Sequence, residues 1–587
     1  MESIIHQLSE LVGGAFAQCG YEPRLGAVTL SDRMDLCQFQ CNGAFEGAKL
    51  YRKAPVAIAG EVAAALAEND IFQKAEAVPP GFLNLTVTDA FLLEAVAAVA
   101  ADGHAGIAQA GHNETIVLDY GGPNIAKPLH IGHLRAAIIG EALKRIARAA
   151  GYTVISDVHL GDWGLQMGLV IAELSERFPE WVCFADGFDS AEALDLPLDV
   201  DMLNEIYPFA SKKSKEDEAF AEKAHNVTLA LQTGHRGYRA VWEALIRVSA
   251  ADLKESYEKL GVTFDYWYGE SDAEPYIEPM VNILKEKNLL YLSDGAQVVD
   301  VAEESDKSPV PPVIIKKSDN SNIYATTDLA TILQRAHDFS PDRIWYVVDK
   351  RQGLHFTQVF RCAKKAGLVP ESTELSHLGF GTMNGSDGKP YKTRDGGVMR
   401  LSDLIETVTE AAYEKIGQSE YANAEEKREN AKKIGIAAIK FGDLVNHRSK
   451  DYIFDIDKFL SFEGKSGTYL LYTVTRINSI LRKAGTEESA APFDTKQVFS
   501  DAERALYLAV LMTTEAFRLA LQEKAPNYVC ENAYLLATLF SAFYHDSHIL
   551  NEADAEKKAA WLSLCVLVRR LLLLHLDVLG IEAVDRM

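Results

Sequence analysis

The chain has 587 residues, 48% of them apolar, and a formal net charge of −25. At roughly 100–200 residues per domain this suggests about three to five domains, with ordinary apolar content for several cores and no stretch disordered by composition. The charge excludes indiscriminate nucleic-acid binding, so any such surface must be local.

The opening MESIIHQLSELVGGAFAQCGYE has no basic n-region, and its apolar residues recur at helical spacing. It reads as a helix and not as a secretory signal. Ala54–Ala67 predicts a second helix, and Gly81-Phe-Leu-Asn-Leu-Thr-Val-Thr88 a strand by alternation. Asp102–Asn113, with its Gly and His residues, reads as a linker. Residues 1–112 are therefore expected to form an N-terminal α+β domain.

A second domain, 113–402, begins with the β-rich run Thr115-Ile-Val-Leu-Asp119 and the loop Tyr120-Gly-Gly-Pro-Asn124. A helix over His130–Ala150 follows, stopped by Gly151, and then the strand Thr153-Val-Ile-Ser-Asp157. Strand, helix, strand in about 45 residues is a βαβ unit and implies a parallel sheet. Ala296-Gln-Val-Val-Asp-Val301, Val313-Ile-Ile-Lys316 and Arg343-Ile-Trp-Tyr-Val-Val348 are further strand candidates, and about 170–290 is a helical insertion.

From 403 to 587 the pattern is almost wholly helical, with clear amphipathic stretches at Ala431–Leu444, Tyr469–Lys483, Ala502–Gln522 and Ala533–Tyr544, so an all-α helix bundle is expected. The apolar run WLSLCVLVRRLLLLHLDVLG is broken by Arg569, Arg570, His575 and Asp577. It reads as a buried helix and not as a membrane span. Cys19, Cys37, Cys41, Cys183, Cys362, Cys530 and Cys565 are scattered without a C-x-x-C pair, so no structural metal and no disulfide framework is expected. A reducing cytoplasm fits.

The sharpest chemical signal is Pro128-Leu-His-Ile-Gly-His133, at the handover from the first strand to its helix. Ligands of a parallel sheet bind at the carboxyl ends of its strands. The helix start is expected to offer free N–H groups and a positive dipole end to phosphate. His130 and His133, three apart, share a face of the first turn. Both can donate hydrogen bonds to phosphate oxygens whose charge grows during displacement at the α-phosphorus. Gly132 would let a flat base approach the backbone. The alternative for H-x-G-H is a pair of metal ligands or core polar residues.

Asp119-Tyr-Gly-Gly-Pro-Asn-Ile-Ala-Lys-Pro-Leu-His-Ile-Gly-His133 and the residues after it closely resemble the ATP-binding signature of class I aminoacyl-tRNA synthetases, in the form carried by arginyl-tRNA synthetases. Val158-His-Leu-Gly-Asp-Trp-Gly-Leu-Gln-Met-Gly168, Tyr324-Ala-Thr-Thr-Asp-Leu-Ala330 and Tyr346-Val-Val-Asp-Lys-Arg-Gln-Gly-Leu-His355 continue the resemblance, as do Ser461–Tyr472 and the terminal Asp585-Arg-Met587. It implies a Rossmann-type catalytic domain between the α+β domain and the helix bundle. It also implies ATP-dependent activation of L-arginine and transfer to tRNA(Arg), with Mg²⁺ accompanying ATP. A monomer is expected, with no membrane or DNA partner.

By this resemblance Pro123, Lys127, His130, Gly132, His133, His355, Gln358 and Lys389 would hold ATP. The family's mobile Lys-Met-Ser-Lys-Ser loop is degenerate here. Gly385, Gly388, Gly396 and Gly397 make the corresponding stretch pliable, and Lys389, Lys392 and Arg394 supply cations for departing pyrophosphate, a role Lys127 would share. Asp119 and Asn124 would hold the backbone end of arginine, and Tyr324, Asp328 and Gln352 its side chain, because a buried guanidinium needs acceptors in fork geometry. Tyr469, Tyr472 and Arg476 share one helical face and, with Met587, would meet the anticodon. The alternative for that stripe is core. In the first domain, Phe39 and Asn42 would touch the tRNA elbow. The rival readings are a synthetase for another amino acid such as cysteine, a small-molecule nucleotidyltransferase, and an inactive RNA-binding paralogue.

Overall fold

In the computed structural model, residues 2–587 are described apart from 35, 128, 191–193, 319–321, 390, 392–398, 418–422, 487–492 and 494. They form two compact units. One comprises Met1–Ala110, Ala412–Val445 and Asp457–Met587, the other Gly111–Ala411 and Asn446–Ile456.

The first unit contains an antiparallel sheet of β1 (Val28–Leu30), β2 (Phe39–Cys41), β3 (Phe72–Val78) and β4 (Phe82–Val87), in the order β1-β2-β4-β3. Leu83, Leu85 and Val87 of β4 are buried and their alternate neighbours half-buried, the period-2 pattern of a strand covered on one face. The helices Ile4–Gln18 and Pro55–Leu66 stand where the periodicity predicts them. The C-terminal residues of this unit are helical: Ala424–Leu444, Gly467–Ala484, Asp501–Gln522, Asn527–Asp546 and Ala555–Val578. The last is long and apolar enough to cross a membrane by length and composition. Here Leu564, Val568, Leu571 and Leu572 are buried. The polar residues that interrupt its apolar run are partnered: Arg570 donates to the Ala100 carbonyl at 2.8 Å, and His575 lies 2.7 Å from Asn532 Oδ1.

The second unit is built on β5 (Thr115–Tyr120) and β6 (Thr153–Asp157), joined by the helix Ile131–Ala149. β7 (Leu290–Ser293), β8 (Ala296–Val299) and β9 (Val313–Lys316) form a small antiparallel sheet of their own. Of the three later strand candidates, only β10 (Arg343–Val347) therefore joins the parallel sheet. β11 (Glu374–His377) completes that sheet in the order β11-β10-β5-β6, every pairing parallel. The chain crosses from β5 to β6 on one side and returns through the helical insertion to β10 on the other. This reversal beside β5 opens a crevice at the carboxyl ends of β5 and β10.

Residues 446–456 belong to this unit because β12 (Met383–Asn384) pairs with β13 (Tyr452–Ile453). Asp451 also accepts from the Thr382 N–H and the Lys350 ammonium, both at 2.7 Å.

Candidate active site

A cavity of about 840 Å³ occupies the crevice. It brings together Asp119, Asn124, His130, Gly132, His133, Tyr324, Asp328, Gln352 and His355 from segments far apart in the chain. Asp119 is the penultimate residue of β5, and Tyr346 and Val347 end β10. The loop 121–124 is fastened to the segment 158–161: Gly161 N–H donates to the Pro123 carbonyl at 3.1 Å, and Ile125 N–H to the Gly161 carbonyl at 2.9 Å. A Cβ on Gly161 would stand 2.1 Å from Asn124 Oδ1, so only glycine leaves the Asn124 amide its place. Pro123 is thus a buried structural residue of the loop and does not line the cavity.

His130 is the N-cap of helix Ile131–Ala149. Its Nδ1 accepts from Gly132 N–H at 3.0 Å, and His133 Nδ1 accepts from His130 N–H at 3.2 Å. A Cβ at residue 132 would meet the His130 ring at 2.8 Å, so a larger residue would push the ring out of this position. An accepting Nδ1 carries no proton, so each neutral ring carries its proton on Nε2 and presents a donor. Burial, with the neighbouring Lys127, holds His130 below the usual imidazole range. Burial, with His130 and Lys127 beside it, pushes His133 down to about 3. At neutral pH both are uncharged donors.

One expectation is corrected. The first N–H groups of this helix are not free for phosphate, because Ile131 N–H donates to the Met399 carbonyl at 3.0 Å and His133 N–H to the His130 carbonyl at 2.8 Å. Gly132 N–H is taken by the His130 ring. The donors this segment offers the cavity are therefore the two imidazoles.

The same cavity is lined by acids. Tyr324, Asp328 and Arg335 lie on the helix Tyr324–Phe339. Asp328 Oδ2 is 2.5 Å from His355 Nε2, so His355 touches the very carboxylate expected to meet a guanidinium. Tyr324 is 63% exposed and forms the rim. Glu270 also lines the cavity, on the stretch where Leu160 and Gly269 form a parallel bridge. Burial, opposed by His159 and reinforced by Asp162 and Asp328, pushes its carboxyl up to about 7. Glu270 does not stand out in the sequence, since one acid in an insertion resembles any surface carboxylate. The aromatic run before it, Tyr266-Trp-Tyr268, is the one local hint.

The remaining candidates are less central. Lys127 points its ammonium over the Tyr207 ring, 4.6 Å from the centroid, and does not line the cavity. Gln358 lines a smaller adjoining cavity with Gln352 and His355, and its amide donates to the Pro311 carbonyl at 2.8 Å. Lys389 is exposed on the turn after β12. Lys392 and Arg394 lie outside the described residues.

Of the RNA candidates, Phe39 is 0% exposed within the N-terminal sheet, so its ring is core and cannot stack on a base. Asn42 is exposed, and as N-cap of the helix Gly43–Tyr51 it makes no side-chain cap bond. Tyr469 is half-buried and bonded to Ser541 at 3.0 Å. Arg476 donates to Tyr472 Oη at 2.8 Å and lies over the rings of Tyr472 and Tyr544. Met587 is half-buried.

The chain matches three family models: an arginyl tRNA synthetase N terminal domain over residues 2–87, the tRNA synthetases class I (R) catalytic domain over 95–456, and a DALR anticodon binding domain over 470–587. It is 49% identical over 587 residues to an arginine–tRNA ligase of Alkaliphilus oremlandii, and 48% identical over 597 to one of Agathobacter rectalis, covering 100% of each chain. Its fold is shared with the solved arginyl-tRNA synthetases of Plasmodium falciparum (TM-score 0.82, 24% identity) and Thermus thermophilus (TM-score 0.80, 23% identity), each pair covered over 100% of both chains.

Proposed function

The chain belongs to the arginyl-tRNA synthetase family, and on that premise we propose that the cavity between β5 and β10 joins L-arginine to tRNA(Arg) at the expense of ATP in two steps. The observation that carries this reading is the cavity's lining, which joins the neutral imidazole donors of His130 and His133 with the carboxyl groups of Asp119, Glu270 and Asp328.

In the first step the arginine carboxylate attacks the ATP α-phosphorus, and the bond to pyrophosphate breaks. In the second, a terminal ribose hydroxyl of tRNA attacks the arginyl carbonyl, and AMP leaves. ATP enters as its magnesium complex, the metal belonging to the substrate. His130 and His133 Nε2–H groups would donate to oxygens of the α-phosphate as their charge grows. Asp119 and Asn124 would hold the backbone end of arginine. Asp328 and Glu270 would share the guanidinium under the Tyr324 rim, with Gln352 at the mouth. A carboxylate has about four lone-pair sites, so Asp328 can keep His355 and still accept a guanidinium fork. His355, Gln358, Lys389 and the basic loop with Lys392 and Arg394 would face the nucleotide. Alignment and charge stabilisation supply most of the acceleration, prepaid orientation alone being worth roughly 7–11 kcal/mol. We assign no nucleophile and no general base.

We propose residues 1–112 as a tRNA-contacting part, 113–402 as the catalytic part and 403–587 as the anticodon-binding part. Asn42, the half-exposed Tyr469, Tyr472 and Arg476, and Met587 would meet RNA. All seven cysteines are free, which suits the reducing cytoplasm we propose.

The test is ATP–pyrophosphate exchange with each of the 20 amino acids, with and without tRNA. Exchange that depends on arginine is expected. Exchange driven by cysteine, or by any neutral amino acid as well as by arginine, refutes the pocket, because a neutral ligand cannot make the charged pairs with Asp328 and Glu270 that would select a guanidinium.

A further inference from the structure

Asp119 and Asp157 are register partners at the carboxyl ends of β5 and β6, so two carboxylates stand side by side. Like charges in that relation repel. Arg335 bridges them: its Nη2 lies 2.7 Å from Asp119 Oδ2 and 2.7 Å from Asp157 Oδ2. The Arg335 side chain is 1% exposed and that of Asp157 2%, while Asp119 keeps 10% and lines the cavity. Arg335 also lies over the ring of Tyr346 on β10, 5.3 Å from its centroid. One guanidinium thus fastens its helix to three strands.

The same helix carries the other end of the site. Asp328 and Arg335 are seven residues apart, hence on one face and about 10 Å apart along the axis. The separation between the Asp119 carboxylate and the Asp328 carboxylate is therefore set by where Arg335 seats on the sheet. Asp119, Asp157 and His159 have ligand atoms close enough to hold a cation. The guanidinium already takes two of the three, so this group is a clamp and not a metal centre.

We propose that Arg335 is a positioning residue that sets the distance between the two ends of the arginine site, and with it the side-chain length the enzyme accepts. This rests on the reading above that Asp119 receives the backbone end of the substrate and Asp328 its guanidinium. Both bonds come from one nitrogen of a buried, always-charged group whose plane also lies over the Tyr346 ring, and a shorter, non-planar lysine ammonium cannot keep the bridge and the ring contact together. With the clamp loosened, the paired carboxylates push apart and the helix loses its fixed seat. Arginine then loses its advantage over homologues whose guanidinium stands one methylene nearer or farther.

The test uses the full-length enzyme with tRNA present. Pyrophosphate-exchange kcat/KM is measured for arginine, for 2-amino-4-guanidinobutyrate and for homoarginine, in the parent, Arg335→Lys, Arg335→Gln and Asp157→Asn. The ratio of arginine to either homologue should narrow at least tenfold in both Arg335 variants and about threefold in Asp157→Asn, which removes one anchor of the clamp. If Arg335→Gln does not fold, Arg335→Lys and Asp157→Asn carry the measurement. A merely structural role would lower all three substrates alike, and unchanged ratios in the folded variants would overturn the proposal. Asp328→Asn serves as control: an unchanged arginine KM there removes the underlying reading, and the proposal with it.

Discussion

The two groups of side chains proposed to hold the phosphate and the amino acid solve opposite electrostatic problems. In the first, His130 and His133 are kept neutral by burial, and backbone N–H groups fix which nitrogen is left to donate. In the second, charge is concentrated and compensated in place. Arg335 holds Asp119 and Asp157. Burial lowers the His159 imidazole, but Asp157 and Asp119 outweigh it and hold the group up at about 9. The difference separates two kinds of work. Fixed neutral donors cost nothing to reorganise when phosphate charge develops, so they act on the transition state. Paired carboxylates recognise a cation that is present from the start, so they act on binding.

Three variants break or sharpen that division. His133→Ala removes a donor aimed at the phosphate. It should lower kcat for pyrophosphate exchange by about 10²–10³, with arginine KM and tRNA affinity nearly unchanged. An equal loss of tRNA binding in a filter assay would move His133 out of the transition-state role. Asp328→Asn removes a charged hydrogen-bond partner worth about 1.5–3 kcal/mol. It should raise arginine KM about 10- to 150-fold while leaving kcat within a few-fold. A kcat effect at constant KM would erase the distinction between the two groups.

Glu270→Gln has the smallest effect, and its direction depends on pH. The buried Glu270 carboxyl titrates at about 7, and only its ionised form pairs with a guanidinium. In the parent enzyme arginine binding should tighten as pH rises from 6 to 8, by about three- to tenfold, with release of a proton. In Glu270→Gln that slope should flatten, and an unaltered slope would exclude Glu270 from the pocket.

Much of this is legible in the sequence. The strand at Thr153–Asp157 and the helix begun by His130 follow from periodicity and short-range spacing, whereas Tyr324 and Asp328 stand out through the family resemblance. β11 was not legible, because Glu-Leu-Ser-His is short and carries no apolar alternation. Phe39 reads as an aromatic available to RNA, but β2 turns it inward onto β4. The occupied N–H groups of Ile131 and Gly132 could not be foreseen either. One is closed by a residue 268 positions later, Met399, and the other by the His130 ring folding back. Arg335 and Glu270 fall in the same class. Their partners are Asp119 and Asp157, and the wall near Asp162 and Asp328, all of them tertiary neighbours. Local pattern thus predicts which segments carry the chemistry, and long-range pairing decides which atoms remain free to do it.

The account stands most directly on a crystal structure of the enzyme with a non-hydrolysable arginyl-adenylate analogue. It predicts the guanidinium within hydrogen-bond distance of Asp328 and Glu270, the α-ammonium at Asp119, and the phosphate oxygens on the Nε2 atoms of His130 and His133. A guanidinium seated away from Asp328, or a phosphate out of reach of both imidazoles, would contradict it.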